Sequence, residues 1–166
     1  MKARPLLQSD YDALYAAAAD PLIWEQHPVP NRYEEPVFRD FFGESIDSGG
    51  ALLVADRKTG AVIGSSRFHG YSEAKSEIEI GWTFLARSHW GGRYNGDLKA
   101  IMISHAFQFV EAVVLYINPT NLRSQCAAAK IGAVPDAHLD KGGRMAFRLY
   151  RNDAPALLSS RSSGNG

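Results

Sequence analysis

Glu77-Ile78-Glu79-Ile80-Gly81-Trp82-Thr83-Phe84-Leu85, then His89-Trp90-Gly91-Gly92-Arg93-Tyr94-Asn95, then Leu98-Lys99-Ala100-Ile101-Met102-Ile103-Ser104-His105-Ala106-Phe107, is the stretch on which the fold turns. Its first run alternates charged and apolar side chains before becoming aromatic and apolar. That pattern is a strand, with Glu77 and Glu79 on one face and Ile78 and Ile80 on the other. The last run predicts a long helix to about residue 112, with Leu98, Ile101, Met102, His105 and Phe109 on one stripe. Between them, Gly91 and Gly92 stand just before a helix N-terminus. Unpaired N–H groups and the positive dipole end favour an anion there, and glycines let the backbone approach phosphate oxygens. A lone Gly-Gly is also an ordinary helix entry, so the loop alone leaves both readings open.

Working outward, residues 113–117 predict a buried strand and 121–131 a helix closed by Gly132. Residues 133–139 and 144–150 then form a hairpin-like pair around Asp140-Lys141-Gly142-Gly143. Upstream, the pattern gives a strand at 3–7, an alanine-rich helix at 10–19 and a short helix at 22–26 entered through Pro21. His27-Pro28-Val29-Pro30-Asn31 is a loop. A helix at 35–46 carries Val37, Phe38, Phe41, Phe42 and Ile46 on one broad face. Two strands, 51–55 and 61–68, flank the turn Asp56-Arg57-Lys58-Thr59-Gly60. The order β-α-α-α-β-β-β-α-β-α-β-β is α+β with a mixed sheet. Residues 1–150 are expected to form a single domain, and 151–166 a polar, disordered tail.

Composition narrows the function. Eighteen basic and eighteen acidic residues give a net charge of zero, against the basic excess of a phosphate-gripping nucleic-acid binder. The zero conceals unlike halves: eight basic and thirteen acidic side chains in 1–83, ten and five in 84–166. A basic second half suits an anionic ligand. Cys126 is the only cysteine, so no intramolecular disulfide forms and a reducing, cytoplasmic setting is expected. The N-terminal residues do not read as a signal peptide, and no apolar run is long enough for a membrane span. The five histidines show no ligand spacing, so no metal is expected.

Four runs in order, Glu77–Leu85, His89–Asn95, Leu98–Phe107 and Asn118-Pro119-Thr120-Asn121-Leu122-Arg123-Ser124 with Ala127-Ala128-Ala129-Lys130-Ile131-Gly132-Ala133, resemble the GNAT N-acetyltransferase superfamily, and its RimJ/RimL-like branch most closely. Weaker similarity extends through Asp20–Trp24 and Thr59–Ser65. The resemblance implies the acyl-CoA N-acyltransferase fold, with a mixed central sheet of about seven strands flanked by helices. It also implies acetyl-CoA as cofactor. Trp90, Gly91, Gly92, Arg93, Tyr94 and Asn95 would form the phosphate loop, with Trp90 and Asn95 as in the branch. Arg93, where the family has glycine, departs from the pattern; it either donates to a phosphate or obstructs the loop.

In the family, the strand before this loop splays from its parallel neighbour and pantetheine fills the gap. Main-chain groups of Phe84, Leu85 and Ala86 would then pair with it, and Asn118 and Asn121 would contact its arm. An amine needs its ammonium proton removed before attacking a thioester. By resemblance a strand carboxylate removes it: Glu79 first, Glu77 second, against the plain reading of solvated charges. Ser124 would assist the leaving thiolate where other members use Tyr; otherwise Asn121 is a helix cap and Ser124 a surface hydroxyl. Trp24, His27 and Tyr33 would shape the acceptor pocket, or simply pack a surface loop. Cys126 and His105 are expected to be packing residues. The acceptor would be a small-molecule amine or a protein N-terminus, with no nucleic acid or membrane, and a homodimer left open. The alternative is a non-catalytic GNAT domain that binds acyl-CoA or a protein partner.

Overall fold

A computed structural model describes residues 1–140 and 142–154. The strands are β1 Lys2–Pro5, β2 Ala51–Ala55, β3 Val62–Ser72, β4 Glu77–Leu85, β5 Ala112–Ile117, β6 Val134–Asp140 and β7 Met145–Tyr150. The helices are α1 Tyr11–Ala18, α2 Glu35–Asp47, α3 Tyr94–Ala106 and α4 Leu122–Lys130. Hydrogen-bonded neighbours run β1-β2-β3-β4-β5-β7-β6 in one seven-stranded sheet. The expected α+β class, with a mixed seven-stranded sheet and flanking helices, is what the chain forms. No helix among the described residues is long and apolar enough to cross a membrane.

Two compact units share β3, β4 and the start of α3: Met1–His69 with Ile80–Asn95, and Gly70–Glu79 with the residues from Gly96 on. In the first unit, β1, β2 and β3 pair antiparallel, Ala3 opposite Val54 and Leu53 opposite Ser65. Asp20 caps the 3₁₀ turn Pro21–Ile23 by accepting from Leu22 N–H at 3.0 Å, with Pro21 in the first turn where its missing N–H costs nothing. The apolar face of α2 buries Phe38, Phe41 and Phe42 against Leu14, Ala18, Trp24, Leu53 and Phe84. Gly64 is obligatory here, because a Cβ would collide with the Phe84 carbonyl oxygen.

In the second unit, β4 runs parallel to β5 through Glu77↔Ala112, Ile78↔Val113 and Glu79↔Val114. The ladder ends there, although β4 continues to Leu85. β5, β7 and β6 are antiparallel. The stripe on α3 differs from expectation. Leu98 and Met102 are buried as read, but their companions are Lys99, Ile103 and Ala106. The helix ends at Ala106 because Phe109 N–H turns back to Ala106 O in a tighter turn, leaving Phe109 65% exposed and His105 exposed beside it. Cys126 is likewise exposed, since α4 turns Ala128 inward. Of the expected tail, Arg151–Asp153 form a 3₁₀ turn, with Arg151 bonded to Val110 O and paired with Glu111. Residues 155–166 of that tail, and Lys141 of the hairpin turn, lie outside the described residues.

Candidate functional site

Between the end of β4 and α3 the chain makes a fastened turn. Ala86 N–H donates to Ile63 O at 2.7 Å, and the Trp90 indole N–H donates to Leu85 O at 2.8 Å. Arg87 pairs with Asp20. Tyr94, the first residue of α3, donates its hydroxyl to Asp56 Oδ2 at 3.0 Å, and its ring meets His89 edge-on at 4.6 Å. Asp56 also accepts from the N–H groups of Lys58 (2.7 Å) and Thr59 (3.0 Å). These backbone donors, Thr59 first, with Tyr94 behind them, push its carboxyl down to about 2. With both flanks fastened, Gly91, Gly92 and Arg93 stand exposed, and Gly91 has a φ of 71°.

Asp56 looked like turn chemistry alone; nothing local in the sequence signals a partner 38 residues away. A carboxyl held down in the folded state stabilises that state above its unfolded pKa and stops doing so as pH falls through its folded value. Asp56→Asn should therefore lower the Tm at pH 7. Its deficit relative to the unsubstituted chain should shrink as pH falls from 4 toward 2. Thermal denaturation followed by circular dichroism across that range tests it; a deficit independent of pH would show that the charge plays no part.

The acceptor-loop residues lie in the same unit. Trp24, 2% exposed, donates its indole N–H to Ala18 O at 2.8 Å and packs on Phe84 at a ring separation of 5.0 Å. His27 stands edge-on to Trp24 at 5.4 Å, and burial, then the nearby Arg32 charge, push its imidazolium down to about 4. Tyr33 is half-buried, its carbonyl accepting from Tyr15 OH at 3.2 Å. Trp24 and His27 are thus brought together with Phe84 of β4. Sequence reasoning missed two buried arginines beside them. Arg32 is 9% exposed and Arg67 5%, and both guanidinium groups lie over the Phe41 ring, at 4.4 and 5.8 Å. A lone loop arginine among prolines normally signals a solvated charge; only the inward place of Arg67 on β3 was a clue. Trp82, under Arg67 at 4.6 Å, has a left-handed φ of 49°, a strained backbone for a bulky residue within β4.

In the second unit, Glu77 and Glu79 are both buried, at 9% and 5% exposure, although Ile80 on the opposite face of β4 is buried too, at 1%. Arg148 on β7 donates from Nη1 to Glu77 Oε2 at 2.6 Å and from Nε to Asp136 Oδ2 at 3.0 Å. Lys75 Nζ lies 3.9 Å from the other Glu77 oxygen. Glu77 is therefore held on both carboxylate oxygens. Glu79 closes the parallel ladder in register with Val114, which itself faces Arg148. On α4, Asn121 is an N-cap, accepting from Ser124 N–H at 3.0 Å, and Ser124 is half-buried in the first turn. Asn118 Oδ1 accepts from the Thr120 N–H (2.9 Å) and hydroxyl (2.7 Å). A groove of about 300 Å³ between β6 and β7, lined by Pro135, Asp136 and Arg144 among others, holds none of the residues singled out from the sequence. Among the described residues, no group of three or more His, Cys, Asp or Glu side chains is placed to hold a metal ion.

The family model for the acetyltransferase (GNAT) domain matches residues 2–134. No curated protein sequence matches the chain. Among solved structures, a GCN5-related N-acetyltransferase from Brucella melitensis superposes with a TM-score of 0.77 at 20% identity, over 93% of this chain and 77% of that one. RimJ from Mycobacterium smegmatis, in complex with CoA-disulfide, gives 0.70 at 17% identity over 92% and 83%. Spermidine N-acetyltransferase from Vibrio cholerae, in complex with CoA and spermine, gives 0.67 at 15% identity over 92% and 96%. At these identities the likeness is one of fold.

Proposed function

Because the chain belongs to the acetyltransferase (GNAT) domain family, we propose that it moves an acetyl group from acetyl-CoA to a primary amine by direct attack of the amine. The observation that carries this reading is Glu79, a carboxylate only 5% exposed in the last register pair of the parallel ladder. Acetyl-CoA, when bound, supplies the activated thioester. The exposed Gly91-Gly92-Arg93 run fits its phosphates: it stands beside the N-terminus of α3, and Gly91 holds a left-handed φ of 71° that glycine adopts without strain. Trp90 and Tyr94 fix that loop and the first turn of α3, in which Asn95 is half-buried.

Phe84 and Leu85 supply main-chain contacts to the pantetheine arm, while Ala86, whose N–H is taken by Ile63, begins the turn. Glu79 takes the proton from the acceptor ammonium, either directly or through water. Glu77, fixed by Arg148 and Lys75, holds a second negative charge on the same strand face. Ser124 hydrogen-bonds the departing thiolate, with its own N–H anchored by Asn121, and Asn118 shapes the loop before it. Trp24, His27 and Tyr33 border the acceptor. The RimJ/RimL-like branch remains the one whose Trp-Gly loop and serine this chain resembles.

Calorimetric titration with acetyl-CoA, followed by thiol release against an amine panel, tests the reading. Saturable binding with amine-dependent release supports it. Binding without release from any amine leaves the non-catalytic binder, and no binding up to millimolar concentration overturns both. Arg93, exposed at the loop, donates to phosphate in this account. Arg93→Gly should weaken CoA binding by about three- to tenfold, the scale of one charge-assisted contact near solvent, and flatten its salt dependence. Tighter binding would mean that the side chain obstructs.

A further inference from the structure

Two buried guanidinium groups with like charge flank one aromatic ring in the wall formed by Trp24, His27 and Phe41. Arg32 is the less satisfied of the two. Its Nε is buried without a hydrogen-bond partner, and among the described residues it makes no ion pair. Burial lowers its pKa to about 10; Glu44, exposed on α2, favours the charged form, and Arg67 opposes it. Its Nη1 approaches His27 Nε2 at 3.1 Å, while the Val29 N–H points at the other ring nitrogen at 3.1 Å. A neutral imidazole offers one acceptor nitrogen, so it cannot satisfy both donors. Protonating the ring would remove even that one, and the ring is held neutral at pH 7.

Leaving a buried cation short of acceptors is costly unless something supplies them. Cation–π contact with Trp24 (5.2 Å) and Phe41 (4.4 Å) supports the charge but accepts no conventional hydrogen bond from its edge. A carboxylate provides what is missing: negative charge, and two oxygens matched to the guanidinium fork. The place is also specific. Arg32 lies over Trp24, and Trp24 packs on Phe84, the β4 residue assigned above to the pantetheine arm. Pro30 and Asn31, which precede Arg32 in the chain, are exposed.

We propose that Arg32, with Arg67 reinforcing the positive potential, is a specificity-determining residue that receives a carboxylate of the acceptor, making the substrate class a primary amine that also bears a carboxylate. This rests on the transferase reading above and narrows it. The excess of acidic residues in the first 83 positions would favour a polyamine, but the buried pair in the acceptor wall has the opposite sign.

The test compares acceptors differing only at the carboxylate. Initial rates of CoA thiol release are measured for L-leucine and L-phenylalanine against their α-carboxamides, with spermidine and short peptides bearing acidic or amidated termini as further arms. The acids should exceed their amides by tenfold or more in kcat/KM. Arg32→Met should erase that preference, and Arg32→Lys should keep part of it. Free acids outrunning acidic peptides places the carboxylate on a small molecule; the reverse places it on a polypeptide. Equal rates for acids and amides, a preference unchanged in Arg32→Met, or spermidine as the best acceptor overturns the proposal. Calorimetry with N-acetyl-L-leucine and N-acetyl-L-glutamate against their amides gives a second readout independent of turnover. If no amine releases thiol, the transferase reading fails, and tighter binding of the acids still supports Arg32, whereas equal binding overturns it.

Discussion

Glu79→Gln is expected to lower kcat by about two to three orders of magnitude while leaving the Kd for acetyl-CoA within about twofold, the scale of losing a positioned general base. Gln keeps the shape of the side chain and hydrogen-bonding capacity, so β4 should still pair with β5 at Val114. What is lost is a group able to take a proton. Because a more basic medium deprotonates the acceptor without help, the variant's deficit should narrow as pH approaches the acceptor's own pKa. Rates measured from pH 6 to 10 with a confirmed acceptor, beside calorimetry for the cofactor, separate proton transfer from binding. An unchanged kcat removes Glu79 from the mechanism. A parallel fall in rate and cofactor affinity would make it a structural residue.

The second large effect falls on stability. Arg148 joins Glu77 and Asp136 across three strands, with side-chain exposures of 12%, 12% and 20%. Arg148→Met removes the cation that the nearly buried Glu77 and Asp136 share, with Lys75 left 3.9 Å from Glu77. Breaking a buried pair from one side costs about 3–5 kcal/mol, and the remaining exposure here puts the expectation at about 2–3 kcal/mol. Urea denaturation at pH 7 measures it. The double variant with Glu77→Gln should recover part of the loss, because one of the two carboxylate charges is gone. A loss below about 0.5 kcal/mol, of the size seen for exposed pairs, would show that water reaches the triad freely.

The strand carrying Glu79 was legible almost to the residue, because alternation followed by an aromatic run survives in sequence. Alternation placed both glutamates on one face but could not say that they are buried as Ile80 is on the other; that depends on partners distant in sequence. Helix α3 was read too long for a related reason. Phe107, Phe109 and Val110 continue an apolar pattern while the hydrogen bonding has already tightened into a turn, with no glycine or proline to mark the change. The Gly91-Gly92 loop was visible as a possible anion site, but its fastening was not. Asp56 reaches Tyr94 across 38 residues, and Arg148 reaches Glu77 across 71. Local patterning carries no trace of such partners, and for the same reason nothing in the 24–33 stretch singles out Arg32, whose guanidinium lies over Phe41 and Trp24.

The central claim is acyl transfer to an amine, and its most direct measurement is thiol release from acetyl-CoA with and without an amine panel, with mass-spectrometric detection of the acetylated product. Release should saturate in both cofactor and at least one amine, in equal amounts with product. Thiol release that no amine in the panel raises above background hydrolysis, from protein shown to bind CoA, would contradict it.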